Sequence, residues 1–363
     1  MLNTDTLERY ARQLPIIGVD GQQQLYNAHV LLIGAGGLGT PAALYLIAAG
    51  IGHLSIFDGD TVELSNLQRQ VLFKEADIGQ NKARQMKKHL QELNSQCQIT
   101  AYPQNLNEKT SEEIFKDCSV IVDATDNFYT RYLVNHFSHR FQIPLVSAAL
   151  FQFEGQLSVF NYQNGPCYQC LYPSPPENNV IPDCTQGGVL GAVAGLLGCL
   201  QASEVIKIIL HRPMILSGKL LQLNVVHHHY QSYAFHRHPD CSHIHGTIAH
   251  AAETSDVSVE TISAAALQQA LQKKPDEYQL IDVRQDFERK ICSLGGLFIP
   301  LDRLTECIEK LPHDKILVVY CKKGTRSQKA AAVLKQQGYR NVVVLEGGIL
   351  EWIAKIEPLM QGY

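Results

Sequence analysis

The stretch Gly34-Ala35-Gly36-Gly37-Leu38-Gly39 comes at once after the apolar run 30–33, and it constrains the fold more than any other segment. Glycines at this density let a strand turn tightly into a helix, so that backbone N–H groups and the positive helix end converge on one point. Such a point attracts an anion, and after a strand it reads as the opening of a nucleotide-binding unit. The loop alone would suit a nicotinamide or flavin site as well as any other. Residues downstream narrow the choice: an NAD site needs one acidic residue for the ribose, whereas positions up to 82 carry Asp58, Asn66, Arg69 and Lys82. The two cations supply what ATP cleavage requires, positive charge for a departing pyrophosphate.

Around this loop, short β-branched runs alternate with helical patterns, which predicts an α/β fold with a mostly parallel, Rossmann-like sheet. Strands are expected at 30–33, 54–57, 99–102, 119–122 and 145–146, with helices over 40–49 and 80–93. The alternation at 155–162 looks antiparallel, four prolines make 172–188 a loop, and a helix (189–210) and a strand (219–226) come next. With 363 residues, 45% of them hydrophobic, the chain has ample core for two domains. A net charge of −4 argues against nucleic acid or an anionic membrane as the main partner. The start lacks a signal-peptide core, so a cytoplasmic protein is expected. The longest apolar stretch, 189–200, is short for a bilayer and soon meets Glu204 and Lys207, as a buried helix would. Ten cysteines in such a chain point to metal or thiol chemistry rather than disulfides.

Composition places domains at 1–246 and 259–363, joined by a small, polar linker at 247–258. In the second domain strands are expected at 280–282, 317–320 and 342–345, and helices around 264–271, 327–337 and 349–356. The strand at 317–320 runs into Cys321-Lys322-Lys323-Gly324-Thr325-Arg326-Ser327 and then a helix. Successive N–H groups of that turn would face the sulfur, and Lys322, Lys323 and Arg326 would favour its thiolate. A phosphatase-like loop holds five residues between Cys and Arg, enough to ring a phosphate. Here only the residues from Lys322 to Thr325 intervene, a cradle fit for a single sulfur carried as a persulfide. With Leu280-Ile281-Asp282-Val283-Arg284 and Glu346-Gly347-Gly348, this stretch resembles the rhodanese domain family. The family often has Gly-His-Ile-Pro-Gly-Ala after the Asp-Val-Arg motif, where this chain reads Ile291-Cys292-Ser293-Leu294-Gly295-Gly296.

The first domain carries Arg9-Tyr10-Ala11-Arg12-Gln13, the glycine loop, Ser65-Asn66-Leu67-Gln68-Arg69-Gln70, Gly79-Gln80-Asn81-Lys82 and Asp123-Ala124-Thr125-Asp126-Asn127. In that order these motifs resemble the MoeB/ThiF family, ancestral to ubiquitin-activating enzymes. Fusion to a rhodanese domain is similar to the adenylyltransferase/sulfurtransferases of molybdopterin synthesis and tRNA thiolation. The resemblance implies ATP and Mg²⁺ as cofactors: Gly34, Gly36, Gly37 and Gly39 at the phosphates, Asp58 at the ribose, and Asp126, beside Asn127, at Mg²⁺. Asn66, Arg69 and Lys82, with Gln68 among them, would bind the triphosphate. Arg12 would reach into a neighbouring protomer, which implies a homodimer. The substrate implied is a small ubiquitin-like sulfur carrier ending in Gly-Gly, with a cysteine desulfurase or thiosulfate as sulfur donor. Cys321 would carry the sulfur, and Cys184 matches the family's second thiol.

Cys167-Tyr168-Gln169-Cys170 has the spacing of half a structural zinc site. The family closes it with a second Cys-x-x-Cys, but here Cys241-Ser242-His243-Ile244-His245 keeps one cysteine, leaving His245, ahead of His243, as the fourth ligand. His227, His228 and His229 are poor joint ligands, because neighbours on a strand face opposite ways. Two other functions stay open at this point: an NAD(P)-dependent oxidoreductase with an appended sulfur-binding domain, and a non-catalytic scaffold that docks a carrier.

Overall fold

The computed structural model describes residues 4–108, 110, 112–175, 188–239, 241 and 259–362. The chain divides into two compact units, Met1–Ala251 and Ala252–Tyr363. In the first, eight strands among the described residues form one sheet in the order β3-β2-β1-β4-β5-β6-β7-β8. β1 (His29–Ile33), β2 (His53–Phe57), β3 (Gln98–Tyr102), β4 (Val120–Asp123) and β5 (Leu145–Phe151) run parallel. β6 (Glu154–Phe160), β7 (Lys219–Asn224) and β8 (His229–Ala234) extend the sheet antiparallel.

Side-chain alternation explains the layers. Val30 and Leu32 of β1 enter one core with Leu54, Ile56, Val120 and Val122, while Leu31 and Ile33 enter a second core with Phe57, Ile121 and Leu145. All are buried, as a parallel sheet covered on both faces requires. The helices Gly39–Ala49, Lys82–Leu93 and Gly191–Ile209 feed the first core, and Phe128–Phe141 feeds the second. Gly191–Ile209 is long and apolar enough to cross a membrane by length and composition. It packs instead on β4, β5, β6 and the Gly39–Ala49 helix. Its Glu204 is buried, pairs with Lys207 and accepts the Leu216 N–H at 3.1 Å, the satisfaction a charge needs inside a core.

Several elements carry little sequence signal. Phe128–Phe141 is capped by Asn127, whose side chain accepts the Thr130 N–H at 2.9 Å, but buried Asn135 and Ser138 interrupt its apolar stripe. The helix Leu14–Asn27 is broken at Gly18, where φ is 74°. β8 is exposed at all six positions, so no burial pattern announces it.

The second unit is a parallel sheet ordered β11-β10-β12-β13-β9, formed by β9 (Glu260–Ile262), β10 (Tyr278–Asp282), β11 (Leu297–Phe298), β12 (Ile316–Tyr320) and β13 (Val342–Leu345). Leu317 and Val319 of β12 enter one core, Val318 and Tyr320 another. β9 and β11 are too short for any period to show. The expected linker lies outside the described residues.

Candidate active sites and a thiol cluster

In the first unit β1 leads to β2 on one side and borders β4 on the other, so the loops after β1 and β4 part and open a crevice. Gly34 has φ +97° there, and a Cβ on it would come within 2.8 Å of the Ala124 carbonyl oxygen. A side chain at Gly34 would collide with the backbone of the loop after β4. Asp58, at the end of β2, spans the mouth: Oδ2 accepts the Ala35 N–H at 2.7 Å and Oδ1 the Asp60 N–H at 2.8 Å. Burial pushes its carboxyl above the ordinary range, and nearby Lys82 and these two N–H groups pull it back.

Lys82 opens the helix Lys82–Leu93, the end where the macrodipole disfavours a cation, and its side chain is buried. Asp60, 2.9 Å from Nζ, offsets that cost, and the Asn81 side chain ties the turn by donating to the carbonyls of Asp58 and Asp60 at 3.0 Å. The sequence motifs gave no role to Asp60. The Arg69 stem would lie 3.4 Å from a Cβ on Gly37, and its guanidinium donates to the Ser65 carbonyl at 3.0 Å. Asn66 is buried and accepts the Glu63 N–H at 3.1 Å, shaping the turn that carries Arg69. Gln68 is exposed, and its carbonyl packs against Gly191.

Past β4, buried Asp123 holds the second loop: Oδ1 accepts the Thr125 N–H at 3.0 Å and hydroxyl at 2.6 Å, Oδ2 the Ser147 hydroxyl at 2.6 Å. Asp126 and Asn127 come next, exposed. Arg12 is exposed as well. Gln70, whose Nε2 lies 3.8 Å from a Cβ placed on Gly36, keeps Oε1 buried without a hydrogen bond, as does the Thr40 hydroxyl. Of these two orphaned atoms the Thr40 hydroxyl can donate to an anionic ligand such as a nucleotide phosphate, whereas the Gln70 oxygen can only accept.

Cys167, Cys170 and Cys241 converge, with sulfur–sulfur distances of 3.6, 3.5 and 3.6 Å. The edge of a tetrahedral zinc–thiolate site, with Zn–S about 2.3 Å, is about 3.8 Å. The donor set therefore fits zinc. Burial, then the neighbouring thiols, raises Cys167. Burial also works to raise Cys170, but the His238 N–H, donated at 3.3 Å, and hydrogen bonds with the other two cysteines bring it below the ordinary thiol value. His243, His245 and Cys184 lie outside the described residues.

In the second unit β12 delivers Cys321 to a loop that closes on its sulfur. Gly324 N–H donates to Sγ at 3.1 Å and Ser327 N–H at 3.4 Å; the Ser327 hydroxyl lies 3.4 Å away and donates to the Gly324 carbonyl at 2.8 Å. The residue is 1% exposed. Arg326 meets Glu288 in a two-pronged pair at 2.5 and 2.6 Å. Its charge thus holds the loop to the helix Asp286–Ile291, a partner no local motif could name. Arg284 is likewise buried against Asp282, at 2.7 and 2.8 Å, under the Tyr320 ring. The donors facing the sulfur are backbone N–H groups, as for an anion nest.

The ThiF family model matches residues 10–243, and the rhodanese-like domain model matches 263–355. The chain belongs to the ThiF family. This ThiF-family chain is 37% identical to "Adenylyltransferase and sulfurtransferase MOCS3" of Anopheles gambiae, over 98% of its own length and 89% of the relative's. It is 36% identical to "Probable adenylyltransferase/sulfurtransferase MoeZ" of Mycobacterium tuberculosis, over 100% and 96%. Among solved structures, E. coli MccB with ATP aligns at a TM-score of 0.58 and 26% identity, covering 66% of this chain and 75% of that one. E. coli MccB with MccA-N7isoASN aligns at 0.59 and 26%, covering 68% and 76%. The chain is an ATP-using adenylyltransferase joined to a sulfurtransferase.

Proposed function

We propose that the first unit adenylates the C-terminal glycine of a small ubiquitin-like sulfur carrier and that Cys321 then supplies the sulfur for a thiocarboxylate. The observation that carries this is the pairing in one chain of a phosphate cradle flanked by Lys82 and Arg69 with a sulfur cradle around Cys321. The carrier's carboxylate is already a nucleophile at neutral pH, so its attack on the α-phosphorus needs positioning and charge neutralisation rather than a base. A carboxyl–phosphorus bond forms as pyrophosphate leaves, with Arg69 and Lys82 facing the developing charge. Mg²⁺, when bound, would add further neutralisation, and Asp126 is the residue we assign to hold it. The outer sulfur of a Cys321 persulfide then attacks the acyl carbon, AMP departs, and the carrier is left joined to Cys321 through an acyl disulfide. A second thiol, assigned to Cys184, attacks the Cys321 sulfur: a Cys184–Cys321 disulfide forms as the bond to the outer sulfur breaks and the thiocarboxylate leaves, and an external thiol reductant reopens the disulfide.

Zinc held by Cys167, Cys170 and Cys241, with His245 as the fourth ligand, would staple the segment before β7 to the segment after β8. A homodimer with Arg12 in the neighbouring site, a cytoplasmic location, and domains at 1–246 and 259–363 complete the proposal. The test offers ATP, a sulfur donor and Gly-Gly carriers of the molybdopterin, thiamine and tRNA-thiolation kinds, and weighs each carrier. The productive one gains about 16 Da as sulfur replaces oxygen. No gain on any carrier, together with tight binding of a reduced nicotinamide, would overturn the proposal.

A further inference from the structure

The cradle around Cys321 does not stand by itself. Two carbonyls at its rim, those of Cys321 and Lys322, accept hydrogen bonds from the Ile349 N–H at 2.8 Å and the Leu350 N–H at 3.3 Å. These donors belong to the first turn of the helix Gly348–Lys355, where N–H groups have no partner within their own helix. Helix start and loop thus satisfy each other.

The approach is close because position 348 has no side chain. Gly348 sits at φ +64°, and a Cβ on it would lie 2.5 Å from the Cys321 and Lys322 carbonyl oxygens and 2.6 Å from the Lys322 carbonyl carbon. Those are backbone atoms, which cannot swing aside as a flexible side chain would. A trans peptide points its C=O and the following N–H in opposite directions. Holding the carbonyls of residues 321 and 322 against the helix therefore turns the N–H groups of Lys322 and Lys323 toward the opposite side, with the Gly324 and Ser327 donors that already meet the sulfur.

We propose that Gly348 and the first turn of its helix form a clamp that sets the geometry of the sulfur cradle, making Gly348 a positioning residue for sulfur transfer. The proposal deepens the assignment of Cys321 as sulfur carrier and rests on it. Removing the close approach lets the peptide planes at 321–323 rotate, and the N–H crown loosens although every residue of the loop is intact. A crown that stabilises an anionic sulfur makes the thiol more reactive at neutral pH, so a loosened crown slows it.

The test compares full-length Gly348→Ala and Leu350→Pro with the parent. Proline is tolerated in the first turn of a helix; it removes the donor to the Lys322 carbonyl, together with the half-buried Leu350 side chain, and restrains the backbone of Ile349 before it. Iodoacetamide capture at Cys321, quantified on its peptide by mass spectrometry across a pH series, should slow about tenfold near neutrality in Gly348→Ala, with the profile displaced to higher pH. Leu350→Pro should give the same change to a smaller extent, about threefold. Sulfur transfer from thiosulfate to cyanide should lose kcat in the same proportion with KM held, and carrier-dependent ATP–pyrophosphate exchange should stay at the parent rate. Trp352, the single tryptophan, is buried in this helix and its emission reports docking. The clamp is refuted if both variants keep the parental pH profile, or if Gly348→Ala slows only with its tryptophan exposed while a folded Leu350→Pro behaves as the parent. Failure of Cys321 as sulfur carrier would show separately, as transfer surviving Cys321→Ala, and leaves the alkylation readout intact.

Discussion

The crevice after β1 and the loop after β12 are both strand-to-helix turns built on glycine, and they solve the problem of holding an anion in opposite ways. The first is wide. Its backbone cradle is supplemented by side chains from separate segments, Asp58, Arg69 and Lys82, and Asp60 meets Lys82 at 2.9 Å. The second is tight: the backbone N–H groups of Gly324 and Ser327 meet the sulfur, and the Arg326 guanidinium pairs with Glu288. A large, multiply charged ligand needs charge from several directions. A single atom is better held by dipoles that one loop can aim.

Cys321→Ala offers the sharpest break between the two. Sulfur transfer from thiosulfate should fall on the order of a thousandfold while carrier-dependent ATP–pyrophosphate exchange is kept, because covalent sulfur chemistry has no substitute in the loop. Loss of exchange as well would show that the two cradles do not act separately. The reverse experiment is Asp126→Ala, expected to lower exchange by roughly a hundredfold with the circular-dichroism spectrum and the thiosulfate reaction unchanged. Near-parental exchange would remove Asp126 from the metal role.

A third site sharpens the contrast, since a thiol cluster can bind metal rather than react. Cys241→Ala should lose about one equivalent of zinc by metal analysis, because two remaining sulfurs and a histidine hold the ion poorly. Unchanged zinc would place the metal elsewhere. The smallest effect concerns the other end of the first sheet, where His29 and His53 stack at 3.9 Å. Burial, and then the neighbouring ring, lowers His29 from 6.5 to about 4; burial lowers His53 too. Between those limits the unfolded chain takes up protons that the folded one refuses, so stability should fall as pH drops from 6.5 toward 4. The slope per histidine should stay below about 1.4 kcal/mol per pH unit, as both rings keep some contact with water. A flat unfolding midpoint across that window, measured by urea titration, would contradict it.

Both cradles were legible in the sequence because each is local: a strand, a glycine turn and a helix in one continuous stretch. The thiol cluster was half legible, since Cys167 and Cys170 announce themselves by spacing and Cys241 only by resemblance. Glu288, Asp60 and Asp123 were not legible as partners. An exposed-looking carboxylate acquires meaning from what the fold places against it, and Arg326 lies far from Glu288 along the chain. The helix Phe128–Phe141 escaped for a related reason, because Asn135 and Ser138 are buried through bonds to Tyr168 and Ile143 that no helical period encodes.

The order of short strands, glycine turns and helices already determined a mostly parallel, Rossmann-like sheet and a second small α/β unit, because backbone geometry and side-chain alternation are properties of neighbouring residues. Tertiary structure alone decided which charge is spent on which partner, how three cysteines come within one metal's reach, and that Gly348 abuts the carbonyls of Cys321 and Lys322. Those outcomes depend on distances between segments remote in sequence, and distance through space is what folding creates.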